Sequence, residues 1–172
     1  MKYLKLLVII QIMFYSCGIL HDKYGRLPLT MTRQEYRGNQ LRIDGMFVNR
    51  DINDYDIFFL FRDGILRRSF QLDTYAKTTA QMEEYFKQIK GTNCCNNYPP
   101  NWGLYKIDGN LINIEMWRSG DTFEKYPTQS SYGEILNDTT IVLHGFIGKS
   151  NTHTFNFVPL SIKPDSTNRF IN

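Results

Sequence analysis

Trp102-Gly103-Leu104-Tyr105-Lys106-Ile107-Asp108-Gly109-Asn110-Leu111-Ile112-Asn113-Ile114-Glu115-Met116-Trp117-Arg118 reads as two strands folded back on one turn. Successive side chains of a strand point to opposite faces, so alternating apolar and polar residues mark a half-buried sheet. Asp-Gly between two such runs is a hairpin signal, because Gly takes the positive φ that tight turns need. A two-residue turn at Asp108-Gly109 places Tyr105 opposite Ile112 and Gly103 opposite Ile114. One face then carries Gly103, Tyr105, Ile107, Ile112, Ile114 and Met116, which point inward together. The other carries Lys106, Asn113 and Glu115.

The same reading extends toward the N-terminus. Residues 41–48 and 55–62 are strand-like, Asp63-Gly64 is a second hairpin signal, and residues 65–71 return. With a two-residue turn Phe61 faces Leu66, Phe59 faces Arg68 and Ile57 faces Phe70. The expected inward face is Ile57, Phe59, Phe61, Leu66 and Phe70, with Arg68 among them. Arg68 reads either as a rim residue with its head in water or as a buried counter-charge for an anionic ligand. Toward the C-terminus, residues 131–136 and 139–147 flank an Asn137-Asp138 turn, and residues 152–159 follow a turn at 148–151. Residues 122–126 form a less regular arm with some strand character.

One helix interrupts the strands. Tyr75, Thr79, Met82, Phe86 and Ile89 recur at spacings that share a helical face, which predicts a helix over residues 73–90. Asp73 suits its N-cap and Gly91 its C-terminal stop. The apolar stripe reads as a packing face. Parallel strands need long crossovers, and the segment holding this helix is the one connection of that kind. The fold class is therefore mainly β: an eight- to nine-stranded antiparallel up-and-down barrel with one inserted α-helix. Closing the sheet removes its exposed edges.

The chain opens with Met1-Lys2-Tyr3-Leu4-Lys5, an apolar core over residues 6–15, then Ser16-Cys17. A basic head, a short apolar core and a small residue describe a secretory signal peptide. The core is shorter than the roughly 20 residues that span a bilayer. With Cys17 directly after it, the segment resembles a lipoprotein signal. That resemblance implies cleavage before Cys17 and lipidation of its thiol. The strand count, the hairpin order and this Cys together make the chain similar to the small lipocalin-like, or calycin-like, bacterial lipoproteins over residues 41–159. Asn101-Trp102-Gly103 stands mid-chain, where that family carries Gly-x-Trp on its first strand. The implied organisation is a signal over residues 1–16, a tether over 17–40, a barrel over 41–160 and a tail over 161–172. The implied location is the cell envelope, on the outer membrane of a Gram-negative bacterium.

Composition narrows the function. Of 20 basic residues Lys2 and Lys5 lie in the signal, so the mature chain is nearly balanced against its 17 acidic ones. That argues against nucleic acid, which is met by a basic patch. Twelve Phe, 11 Tyr and two Trp suit strands and ligand cavities alike. Cys94 and Cys95 are adjacent, and neighbouring Cα atoms lie closer than an unstrained disulfide prefers; exposed loop thiols are expected. His144 and His153 are read as diagonal neighbours on one sheet face, structural rather than metal ligands, and no metal or cofactor is expected. There is no Gly-x-Ser-x-Gly elbow and no His near the paired Cys, so enzymatic activity is not expected. The partners expected are the membrane, through the lipid anchor, and a small apolar or amphipathic ligand touching Phe59, Arg68, Tyr105 and Met116. The alternative is a filled barrel acting on an envelope protein as an inhibitor, an immunity-type partner or an assembly accessory.

Overall fold

The computed structural model describes residues 25–51, 54–69, 78–89, 98–120, 125–146 and 152–171. Cys17, Phe70, Asp73, Cys94 and Cys95 lie outside these, as does most of the 122–126 arm. Eight strands follow in order: β1 (Gly45–Asp51), β2 (Asp54–Leu60), β3 (Ile65–Ser69), β4 (Trp102–Asp108), β5 (Leu111–Trp117), β6 (Thr128–Asn137), β7 (Thr140–His144) and β8 (Thr152–Pro159). Each pairs antiparallel with the next, and β8 returns to β1, so the sheet is a closed up-and-down barrel. One helix, α1 (Thr79–Ile89), lies between β3 and β4. Thr78 opens it: Gln81 N donates to Thr78 Oγ1 at 3.3 Å and Thr78 N donates to Gln81 Oε1 at 3.1 Å. This reciprocal pair satisfies two backbone donors that a helix start leaves free.

Two apolar clusters divide the side chains. The inner one draws on all eight strands, with Phe47, Phe58, Leu66, Tyr105, Ile114, Met116, Ile135, Leu143 and Phe155 among its members. Aromatic rings fill its middle: Phe58 lies 4.8 Å from Phe155, 5.4 Å from Phe47 and 5.7 Å from Phe146 between centroids. Eight strands enclose an interior just wide enough for side chains to fill or for one small ligand. The second cluster coats the outer face of β1 to β5: Met46, Val48, Ile57, Phe59, Phe61, Ile65, Trp102, Leu104 and Trp117 pack under Met82 and Phe86 of α1 and under Phe170.

The β4–β5 register differs from the expectation by two residues. Ile107 faces Ile112, Tyr105 faces Ile114 and Gly103 faces Met116. A shift of two keeps every side chain on its face, so the inward set stands. At β2–β3 the shift is one. Phe61 N donates to Ile65 O and Gly64 N to Phe61 O, both at 3.0 Å, so three residues, Arg62 to Gly64, make the loop. Gly64, at φ 82°, takes the left-handed position that such a loop demands. Leu60 therefore faces Leu66, Phe59 faces Arg67 and Phe58 faces Arg68. A one-residue slip exchanges faces: Phe58 and Leu60 point inward, and Phe59 and Phe61 point outward against the layer beneath α1. Residues 57–61 are apolar without a break, so alternation carried no information there.

The segments at either end pack on the barrel. Residues 25–41 cross its outside as a strap. Thr30 N, Thr30 Oγ1 and Met31 N donate to the Glu115 carboxylate at 3.0, 2.9 and 2.5 Å. The strap then tucks Tyr36 and Leu41 into the inner cluster. Near the other terminus, Lys163 Nζ donates to the carbonyls of Ile43 and Leu60, the latter at 2.6 Å. Phe170 meets Trp117 edge-on, with the Arg26 guanidinium 4.7 Å from the Trp117 ring.

Candidate functional site

The inner face changes character toward one end. Two residues beyond Phe47 stands Asn49, two before Phe58 stands Asp56, two beyond Leu66 stands Arg68, and two before Phe155 stands His153. Each shares its strand's inward face by the two-residue period. All four are buried, at 3, 5, 6 and 7 % exposure respectively. Gln129 and the buried Ser131 join them from β6. Strand direction brings the end of β1, the start of β2, the end of β3 and the starts of β6 and β8 to the same rim.

These groups are bonded to one another in a defined way. Arg68 donates to Asp56 Oδ1 twice, through Nε at 2.6 Å and Nη2 at 2.5 Å. A buried charge without its counter-charge costs several kcal/mol, so this pairing is what lets either group be there. The Phe146 ring lies 5.9 Å from the guanidinium. Asn49 Nδ2 lies 3.1 Å from His153 Nδ1. With the amide donating, Nδ1 accepts and the ring proton sits on Nε2. Gln129 Nε2 and Ser131 Oγ both donate to the Gly145 carbonyl, at 2.9 and 3.0 Å. His153 Nε2 and Gln129 Oε1 are among the buried atoms that have no hydrogen-bond partner among the described residues.

The four ligand contacts expected from sequence separate into three places. Arg68 lies in this polar end, inward and buried, not as a rim residue with its head in water. Met116 lines the same end, directly across from Gln129. Tyr105 points inward at the opposite end, where its hydroxyl donates to the Phe61 carbonyl at 2.7 Å. Burial pushes that phenol well above its ordinary pKa of 10.0, so it stays a donor. Phe59 is outside the barrel, edge-on to Phe86 with 5.2 Å between centroids.

The histidines also part. His144 faces Thr152 and His153 faces Leu143. Gly145, at φ 66°, ends β7 one residue after His144, and the longer connection shifts the register by an odd number. His144 thus lies outside against Tyr132, 5.1 Å between rings, and His153 inside. The expected placement on one face does not hold. Among the described residues no group of three His, Cys, Asp or Glu side chains is placed to hold a metal ion.

A cleft of about 410 Å³ opens at the strap-covered end. Gln34, Glu35, Tyr36 and Arg37 line one side of it, and Lys106 and Ile107 the other. Its walls are charged and half-open, with no buried unpartnered group among its lining residues.

Asn49, Asp56, Gln129, Ser131 and His153 were not picked out by sequence reasoning as a site. Each is a polar residue in phase with an inward apolar one, and all lie toward the same rim. That coincidence becomes a signal only once the strand registers are known. Among the described residues no helix is long and apolar enough to cross a membrane. Comparison with protein-family models, with curated proteins and with solved structures finds no match to this chain, so the family stays open and the shared architecture is that of an eight-stranded, lipocalin-like barrel.

Proposed function

We propose that this chain is a non-enzymatic, lipid-anchored envelope protein whose barrel holds a small amphipathic ligand at the polar end of its interior. The observation that carries the ligand is the buried His153 imidazole. It stands in a ring of polar side chains with one nitrogen unspent. A barrel end built for stability alone favours apolar filling, since replacing a buried ion pair with well-packed hydrophobic residues is often neutral or stabilising. Phe146 and Met116 supply apolar surface beside the polar ring. The aromatic plug behind them speaks for a compact ligand, not a long chain threaded along the barrel axis. The anchor rests on Cys17 following an apolar core and Ser16.

Two measurements test this. Cys17→Ser should release the protein from membranes and abolish labelling by a fatty-acid probe; unchanged partitioning removes the anchor. Native mass spectrometry of protein taken from its own envelope should show a small-molecule adduct beyond the lipid, lost in His153→Phe. A second reading, a protein-interaction module, is favoured by one observation. Leu111, Tyr132 and Leu136 are 55, 64 and 58 % exposed on adjoining strands β5 and β6, where none of the described segments covers the sheet. That reading expects adduct-free protein.

A further inference from the structure

Resting on the anchor at Cys17 proposed above, we infer that the barrel sits on the bilayer by its polar rim, through a patch of basic side chains that meets anionic phospholipid headgroups. Three described segments join at that rim. Leu27 N donates to Tyr126 O at 3.1 Å, and Trp117 Nε1 donates to Leu27 O at 2.7 Å, so the start of the strap is pinned to the β5–β6 hairpin. Arg26 donates to the Phe170 carbonyl at 2.8 Å, which brings in the C-terminal segment. β5 ends and β6 begins at this rim, beside Gln129 and Ser131.

Basic and aromatic side chains gather there. Arg118 and Lys125 are exposed on the two arms of the hairpin, where Arg118 N donates to Pro127 O at 2.9 Å and Gly120 N to Lys125 O at 2.8 Å. Arg169 is exposed, with its guanidinium 5.5 Å from the Phe170 ring, and Arg26 is half-buried over Trp117. Lys125 Nζ lies 5.4 Å from the Tyr126 ring, and that ring meets Tyr98 edge-on at 5.8 Å. Tyrosine, with an apolar body and a polar tip, suits a membrane–water interface. Over residues 22–29, 117–130 and 167–171 the sequence carries five basic and three acidic side chains. The acidic ones, Asp22, Asp121 and Glu124, lie outside the described residues, as does Lys23.

Chain length points this rim toward the lipid. Gly25 stands eight residues after Cys17, and eight residues span at most about 28 Å. A lipidated Cys17 sits at the headgroups, so the strap starts no farther than that above them. The strap then leads away to the opposite end, where Tyr36 N donates to Arg62 O at 2.7 Å. The potential of an anionic leaflet fades within a Debye length, about 8 Å at physiological salt, so only basic groups at the near end feel it.

The test uses the whole mature chain with Cys17→Ser, so that the patch alone can hold it. Its sedimentation with vesicles of equal parts phosphatidylglycerol and phosphatidylcholine is compared with that on phosphatidylcholine alone. The chain should partition onto the anionic vesicles only, and leave them at about 1 M salt, where the Debye length falls to about 3 Å. A basic residue near such a surface is worth about 1 kcal/mol, or about fivefold, so Arg118→Gln with Lys125→Gln should weaken partitioning about 25-fold. Arg37→Gln with Lys106→Gln removes the same charge from exposed positions at the opposite end and should leave partitioning unchanged. The patch is overturned if the anionic vesicles take up no protein, if the Arg118 and Lys125 pair of changes has no effect, or if both pairs weaken binding equally. The anchor is read separately: a full chain that takes up no fatty-acid label loses the anchor, and with it the orientation, whatever the vesicles show.

Discussion

Asp56→Ala should be among the most damaging single changes in this barrel. Asp56 and Arg68 side chains are each 7 % exposed, and two charge-assisted bonds join them. Removing the carboxylate leaves the Arg68 charge buried without its counter-ion, which costs about 3–5 kcal/mol when a buried pair is broken. For a chain of this length 1 kcal/mol moves the melting temperature by about 2–4 °C, so a fall of roughly 6–20 °C is expected. The double variant Asp56→Leu, Arg68→Met removes both charges and keeps apolar volume. It should come within about 1 kcal/mol of wild type, or exceed it. Urea unfolding of the four proteins closes the cycle, with an unchanged slope as the sign that the unfolded reference has not moved. A single variant that loses less than about 1 kcal/mol would mean that water reaches the pair, as it does for surface pairs. A double variant as damaged as the single one would locate the loss in packing instead of charge.

Phe86→Ala should cost about 3–5 kcal/mol in urea unfolding, because the ring is buried between α1 and Phe59 and its removal leaves a cavity; an unchanged midpoint would show that α1 does not pack on the barrel. Stability should rise between about pH 8 and pH 10. Burial lowers the Lys163 amine from 10.5 to about 8, so across that window the unfolded chain binds the extra proton. Lys163→Met should flatten the rise. Above pH 10 the sign reverses, since the unfolded Tyr105 phenol ionises and the buried one does not; Tyr105→Phe should soften that fall, and a profile unmoved by either variant would refute both assignments.

Much of the architecture was legible before any coordinates. The Asp63-Gly64 and Asp108-Gly109 turns, the strict alternation of residues 102–118 and the lone helical stripe were enough for an antiparallel barrel with one helix. The β4–β5 faces survived a wrong register because the error was even. The β2–β3 and β7–β8 faces did not, because the errors were odd. Residues 57–61 are buried on both sides, one against the barrel core and one against α1, so no polar side chain marked either face. Glu115 was expected outward and is outward, yet it is buried at 2 % exposure because the strap covers it. A segment 85 residues away in the chain decides that, and no local pattern encodes it.

The polar end shows the division most clearly. By itself the sequence determined that the chain alternates, turns and closes, because side-chain period and turn chemistry are properties of a few neighbouring residues. Which polar residues meet inside the closed barrel depended on the register of every strand between them. Arg68 finds Asp56 across a three-residue loop, and His153 finds Asn49 across 104 positions of chain. Register follows from loop geometry and from what covers each face, both of which are settled only when the whole barrel closes.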